Sequence, residues 1–284
     1  MVAQSATLQD IAPAKINLAL HVRARIPDGY HALESLFAFA RDGDVLTLQP
    51  EDTLSLAIVG PFAPGLSAGD DNLVLRAARS FDATFGIKVT GHFRLDKRLP
   101  IAAGIGGGSA DAAAALRLLA RRHDIDPADD RLFALAADLG ADVPACLAGR
   151  TVRGEGRGDR LEAIAAETLS GMALLLVNPL LPCPTGPVFR AWDGIDRGPL
   201  DSGDPLAAAI AGRNDLEPPA RALLPAIAAV VDWLAARPGV VLARMSGSGA
   251  TGFALCDSHE ARDAAHDAIG LAHPDWWSLA TALV

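Results

Sequence analysis

Residues 11–24 alternate between apolar and polar positions, the period of a strand with two distinct faces. Ala14, Ile16, Leu18, Leu20 and Val22 share one face, and Lys15, Asn17, Ala19, His21 and Arg23 share the other. Pro27-Asp28-Gly29 is a turn signal. The extended run Tyr30–Ala40 reads as the returning arm of a hairpin, and Val45–Leu48 and Leu54–Val59 as further strands. Leu73, Leu75, Ala78 and Phe81 recur near helical spacing, so Asn72–Phe85 is a predicted helix. Ile87–Leu95 reads as a strand. It feeds a glycine-rich run and then a helix ending near Arg121–His123.

A short helix over 129–139 is stopped by Gly140. Thr151–Arg160, rich in glycine and arginine, reads as a turn or loop. The second half offers a strand at Ala173–Val177, a proline-rich stretch from Pro179 to Pro187, and mostly helix over Asp215–Ala236. Val240–Met245 and Thr251–Cys256 are strand-like around Ser246-Gly247-Ser248-Gly249, and Ser258–Leu271 is a predicted final helix. There is no internal repeat.

At 284 residues the chain exceeds the usual single core, so two domains are expected, divided as 1–160 and 161–284. The net charge of −9 argues against general nucleic-acid binding, which needs a basic surface. An anionic ligand must therefore be held by local donors. The chain has only three lysines, Lys15, Lys88 and Lys97, so a lysine within a motif stands out. Cys146, Cys183 and Cys256 are odd in number and far apart, as expected of buried thiols in a reducing cytoplasm. The opening residues include Gln4, Ser5 and Asp10 and lack the apolar core of a signal peptide. No run approaches the ~18 apolar residues of a membrane span.

Pro100-Ile101-Ala102-Ala103-Gly104-Ile105-Gly106-Gly107-Gly108-Ser109-Ala110 leads straight into a helical pattern. Glycines there allow positive φ and close approach to a ligand. Ser109 is suited to cap the helix. A helix start leaves N–H groups unpaired and partially positive, which makes a phosphate cradle. The run is not a Walker A loop, because no Gly-Lys-Ser/Thr follows. It also lacks the acidic partner of a dinucleotide fingerprint, since Asp124 and Asp126 sit at the polar end of the helix.

Taken singly, the other chemical residues have ordinary readings. Lys15 fits the solvated face of an edge strand, and Asp142 in Gly140-Ala141-Asp142-Val143-Pro144 fits a helix N-cap. Ser246-Gly247-Ser248-Gly249 fits a hairpin turn. Tyr30 fits a rim aromatic, His31 a buried imidazole and Phe189 ordinary core. Asn17, Lys97 and Thr185 fit a strand-face amide, a solvated lysine and a turn hydroxyl.

In combination and in this order, Pro13–Leu18, Pro100–Ala112 and Met245–Phe253 resemble the three motifs of the GHMP kinase superfamily of small-molecule kinases. Asp28-Gly29-Tyr30-His31, Asp96–Pro100, Gly140–Pro144 and Asn214–Glu217 point to the branch that acts on a cytidyl diphosphate alcohol. Ala102, Ala103, Ala110 and Asp159 depart from that pattern.

The resemblance implies an α+β fold in two domains, the first like domain 2 of ribosomal protein S5 and the second ferredoxin-like. It implies γ-phosphoryl transfer from ATP to an alcohol, with Asp142 as general base and Lys15 beside it as the cation. Residues 100–110 would grip the ATP, whose Mg2+ would be held mainly by phosphates and water rather than by protein ligands. Asn17, Tyr30, His31, Lys97, Thr185 and Phe189 would contact a small cytidyl diphosphate substrate. A kinase of another small alcohol and a non-catalytic nucleotide sensor stay open as alternatives.

Overall fold

The computed structural model describes residues 6–27 and 29–284. Gln4, Ser5 and the turn residue Asp28 lie outside the described residues. The chain forms two compact units. The first holds the described residues up to Ala14, together with Asp42–Ile101 and Gly106–Gly149. The second holds Lys15–Arg41, Ala102–Ile105 and Arg150–Val284. The units are interleaved in sequence, and the glycine run itself is shared between them.

Two long strands, β1 (Leu8–Arg25) and β2 (His31–Gln49), contribute residues to both units. In the first unit the end of β2 lies antiparallel to β4 (Gly91–Asp96), with Val45 opposite Asp96. β3 (Leu54–Val59) runs parallel to β4. The four helices α1 (Leu73–Phe85), α2 (Gly107–His123), α3 (Asp130–Leu139) and α4 (Val143–Ala148) pack on one another. Ala110 and Ala112–Ala115 of α2 are all buried, and such small side chains let neighbouring helices approach closely. Asn72 caps α1 by accepting the Val74 amide at 2.9 Å, and Asp129 caps α3 through the Arg131 amide.

In the second unit the start of β2 pairs with β5 (Val152–Gly156), which pairs with β6 (Arg160–Ala163). A second, antiparallel sheet has the order β10-β7-β9-β8, built from β7 (Ala173–Asn178), β8 (Val240–Met245), β9 (Gly252–Cys256) and β10 (Trp277–Ala282). The central strands β7 and β9 are buried along their whole length, so their sequences read as continuous apolar runs. α8 (Ala226–Ala235) and α9 (His259–Ala272) supply Val230, Leu234, Ala265 and Ile269 to the core over this sheet. Three shorter helices, α5 (Thr185–Arg190), α6 (Pro205–Ala211) and α7 (Glu217–Leu223), complete the described elements.

The fold is α+β, as the motifs implied, and several local expectations need correction. Val45–Leu48 is no separate strand but the end of β2. The polar run Arg41-Asp42-Gly43-Asp44 hid the continuity. Gly43 sits where a Cβ would lie 1.9 Å from the Ala12 carbonyl oxygen, so only glycine lets the strands pair there. β4 begins at Gly91, not Ile87. The loop expected over Thr151–Arg160 is most of a hairpin, turned through Gly156 and Gly158 at φ 70° and 95°. The helix over 215–236 is broken by Leu224-Pro225. Ser109 does not cap α2. The helix starts at Gly107 behind Gly106 at φ 67°, which leaves Ser109 inside the first turn.

Candidate active site

Lys15 and Asn17 share a face of β1, as the alternation requires. Their surroundings are not those of an edge strand: Lys15 and Asn17 are both buried. Lys15 Nζ donates to Asn17 Oδ1 at 3.1 Å and lies 5.2 Å from the centre of the Phe37 ring. Asn17 Nδ2 donates to Ser35 Oγ at 2.7 Å, and Ser35 Oγ donates to the Ala19 carbonyl. The lysine is thus oriented by an amide that is itself fixed.

The same unit holds Ala102–Ile105 against the turn between β8 and β9. The Lys15 amide donates to the Ile105 carbonyl, and the Thr251 amide to the Ala103 carbonyl. Ser246 Oγ donates to the Gly104 carbonyl at 2.9 Å and accepts the Asn17 amide at 3.3 Å. Asn214 Nδ2 donates to the carbonyls of both Met245 and Gly247, which braces the turn. At Gly104, with φ 76°, a Cβ would fall 2.6 Å from the carbonyl oxygens of Ser246 and Gly249. Ala102, where the motif usually has glycine, takes φ 51°. Ser246-Gly247-Ser248-Gly249 is therefore both a hairpin connection and the bed of the glycine run.

A cluster of rings in the second unit collects other candidates. The His31 ring lies 5.0 Å from that of Phe189 and 5.7 Å from that of Trp192. His31 Nε2 is buried without a hydrogen-bond partner. Burial, reinforced by the Arg25 charge, lowers the pKa of His31, which favours the neutral ring. Tyr30 is 55% exposed, with the Arg157 guanidinium 5.0 Å from its ring centre. Thr185, the first residue of α5, shares a 2.9 Å hydrogen bond with Ser248. Sequence reasoning missed Trp192 and Arg157, which match no motif and enter only through their ring contacts.

In the first unit, Gly106–Ala110 open α2; the amides before Ala110 are the unpaired ones of a helix start, and the Ala110 amide donates to the Gly106 carbonyl at 2.8 Å. Asp142 stands at the N-cap position of α4 but its side chain makes no capping hydrogen bond. Lys97 is not a solvated lysine. It is buried, with Nζ 2.5 Å from Asp44 Oδ2 and 2.7 Å from Asp111 Oδ2. Burial opposes its charge, but Asp111 and Asp44 outweigh burial and raise its pKa. No group of three or more His, Cys, Asp or Glu side chains among the described residues is arranged to hold a metal. No described helix is long and apolar enough to cross a membrane.

Comparison with known proteins matches this arrangement to a family. Residues 72–150 match the GHMP kinases N terminal domain, and residues 200–274 match the GHMP kinases C terminal domain. A 4-diphosphocytidyl-2-C-methyl-D-erythritol kinase from Rhizorhabdus wittichii is 60% identical, with 96% of this chain and 94% of that protein aligned. The protein of that name from Novosphingobium aromaticivorans is 50% identical, covering 98% of this chain and 93% of its own length. A crystal structure of a 4-(cytidine 5'-diphospho)-2C-methyl-D-erythritol kinase superimposes with a TM-score of 0.78 at 36% identity, over 97% of this chain and 99% of that one. A homoserine kinase from Cytophaga hutchinsonii, 18% identical, shares the fold with a TM-score of 0.76 over 98% of this chain and 95% of its own. The chain belongs to the GHMP kinases, within the family of 4-diphosphocytidyl-2-C-methyl-D-erythritol kinases.

Proposed function

We propose that this protein transfers the γ-phosphoryl group of ATP to the 2-hydroxyl of 4-diphosphocytidyl-2-C-methyl-D-erythritol, a step of the non-mevalonate route to isoprenoid precursors. The observation that carries this reading is the 60% identity, over nearly the full length of both chains, to a kinase named for that substrate. The motif residues support it. Phosphoryl transfer needs positioning and charge neutralisation more than covalent chemistry. Asp142 takes the hydroxyl proton, and helix capping by its side chain does not account for that carboxylate. Lys15, oriented by Asn17, favours the alkoxide and offsets phosphate charge.

Gly106–Ser109 fit a phosphate group, because a helix start offers unpaired amides and Gly106–Gly108 add no side-chain bulk, with Ala110 behind them donating its own amide to the Gly106 carbonyl. Residues 100–105 lead the chain into that turn. Mg2+ would accompany the nucleotide, held mainly by its phosphates and water, and would offset phosphate charge. Tyr30 and Phe189 stack on the cytosine, and the unpartnered Nε2 of His31 reads its polar edge. Thr185 and Asn17 contact the rest of the substrate. The family matches 72–150 and 200–274 fall on either side of the division 1–160 and 161–284, although the compact units themselves are interleaved in sequence. A cytoplasmic location accords with the three buried free cysteines.

A coupled ADP-release assay tests the reading, with the cytidyl alcohol beside mevalonate and homoserine. Turnover confined to the cytidyl alcohol supports it. Turnover of the other alcohols points to a different GHMP kinase activity, and ATP binding with no turnover points to a sensor.

A further inference from the structure

We infer that Lys97 is a positioning residue for the nucleotide-binding turn, acting through Asp44 and Asp111, and not a cation that touches substrate or nucleotide. This rests on the reading of Gly106–Ser109 as a phosphate cradle. Lys97 follows β4, Asp44 lies in β2, and Asp111 lies one turn into α2, all in the first unit. Asp44 Oδ2 accepts Lys97 Nζ, and its Oδ1 accepts the amides of Arg98 at 2.6 Å and Leu99 at 2.8 Å. One carboxylate therefore fixes both the lysine and the backbone that enters the glycine run. The same ammonium then reaches Asp111 Oδ2 and ties that backbone to the first turns of α2.

All three side chains are buried, so the ammonium is turned into the unit with two donors already spent. Gly107 supplies a second, independent sign. Its φ is not in the left-handed region, so backbone freedom does not require glycine there. A Cβ at that position would instead lie 3.1 Å from Lys97 Nζ. A side chain there would press on the ammonium beside the amides that would meet phosphate. A buried pair also responds distinctively to loss of one partner, which leaves an uncompensated charge, whereas replacing both partners is tolerated.

The test compares wild type, Lys97→Met and Lys97→Met/Asp111→Asn. ATP affinity is measured without alcohol, KM for the cytidyl alcohol is measured separately, and each variant is melted thermally. Lys97→Met is expected to weaken ATP binding by tenfold or more while changing the cytidyl KM less than twofold. The double variant removes one of the two facing carboxylates and gives Asp44 an amide donor, so it is expected to recover ATP affinity to within about threefold of wild type. If Lys97→Met does not fold, the double variant decides alone. A folded double variant still deficient in ATP, a raised cytidyl KM, or a lowered melting temperature with ATP affinity intact would each overturn the positioning role. Wild-type protein that binds no ATP would overturn the function reading as well, which separates the two failures.

Discussion

Ser246 Oγ donates to the Gly104 carbonyl at 2.9 Å while accepting the Asn17 amide at 3.3 Å. A single hydroxyl thus joins the glycine run to the strand that carries Lys15. Ser246→Ala would remove the partner of the buried Asn17 amide and of the part-buried Gly104 carbonyl, a cost of about 1–3 kcal/mol. The expected outcome is a loss of stability of that size by denaturant titration, together with weaker ATP binding in the folded protein. Unchanged stability would mean that the hydroxyl does not hold the run.

The glycines of the run are expected to differ in their sensitivity to alanine. Gly104 combines φ 76° with backbone oxygens 2.6 Å from where a Cβ would stand, so Gly104→Ala is the most damaging. Gly106→Ala strains a residue at φ 67°. Gly107→Ala presses on Lys97. Gly108 has ordinary helical backbone and meets only Leu73 Cδ1 at 3.5 Å, so Gly108→Ala costs least and gains up to about 1 kcal/mol of helix propensity. ATP titration and melting of the four variants give the order, and equal effects across them would contradict it.

Asp142→Asn keeps the shape of the side chain but cannot accept the hydroxyl proton. Its kcat is expected to fall about 10²–10⁴-fold, with the fold and ATP affinity retained. Were Asp142 chiefly a helix cap, asparagine would replace it well and turnover would survive.

Asp111 makes stability depend on pH. Burial pushes its carboxyl up to about 7, with Lys97 pulling it down and Asp44 pushing it further up. A pKa raised in the folded state means that folding favours the protonated form. The stability from this group is complete below about pH 4 and is lost as pH rises to about 7. Asp111→Asn lacks that loss and keeps an acceptor for Lys97. Relative to wild type it is expected to gain stability progressively between about pH 4 and 7, and no more above. Denaturation of both proteins across that range checks the sign, and a difference independent of pH would contradict it.

Much of this was legible in the sequence, for physical reasons that also mark where legibility ended. The alternation through residues 11–24 placed Lys15 and Asn17 together on one face, and the buried runs of β7 and β9 announced themselves. Periodicity could not show that Lys97 is buried, because its partners Asp44 and Asp111 lie 53 and 14 residues away. It also missed β10, a half-exposed strand whose residues satisfy no clean pattern. Gly107 escaped for a similar reason. Sequence suggests positive φ for any glycine in a loop, whereas here the tight neighbour of a side chain would be an ammonium ten residues away.

Recognition of the cytidine is tested most directly by the ratio of kcat/KM for the cytidyl alcohol to that for the same alcohol phosphate lacking cytidine, in wild type and in Tyr30→Ala. Stacking of one base on an aromatic ring is worth about 1–3 kcal/mol by analogy with single-stranded nucleic acid, or about 5- to 150-fold in affinity. Wild type is expected to prefer the cytidyl alcohol strongly, with that preference reduced by about that factor in Tyr30→Ala and ATP affinity unchanged. Equal kcat/KM for the two alcohols, or a Tyr30→Ala variant that loses ATP affinity as much as substrate affinity, would contradict it.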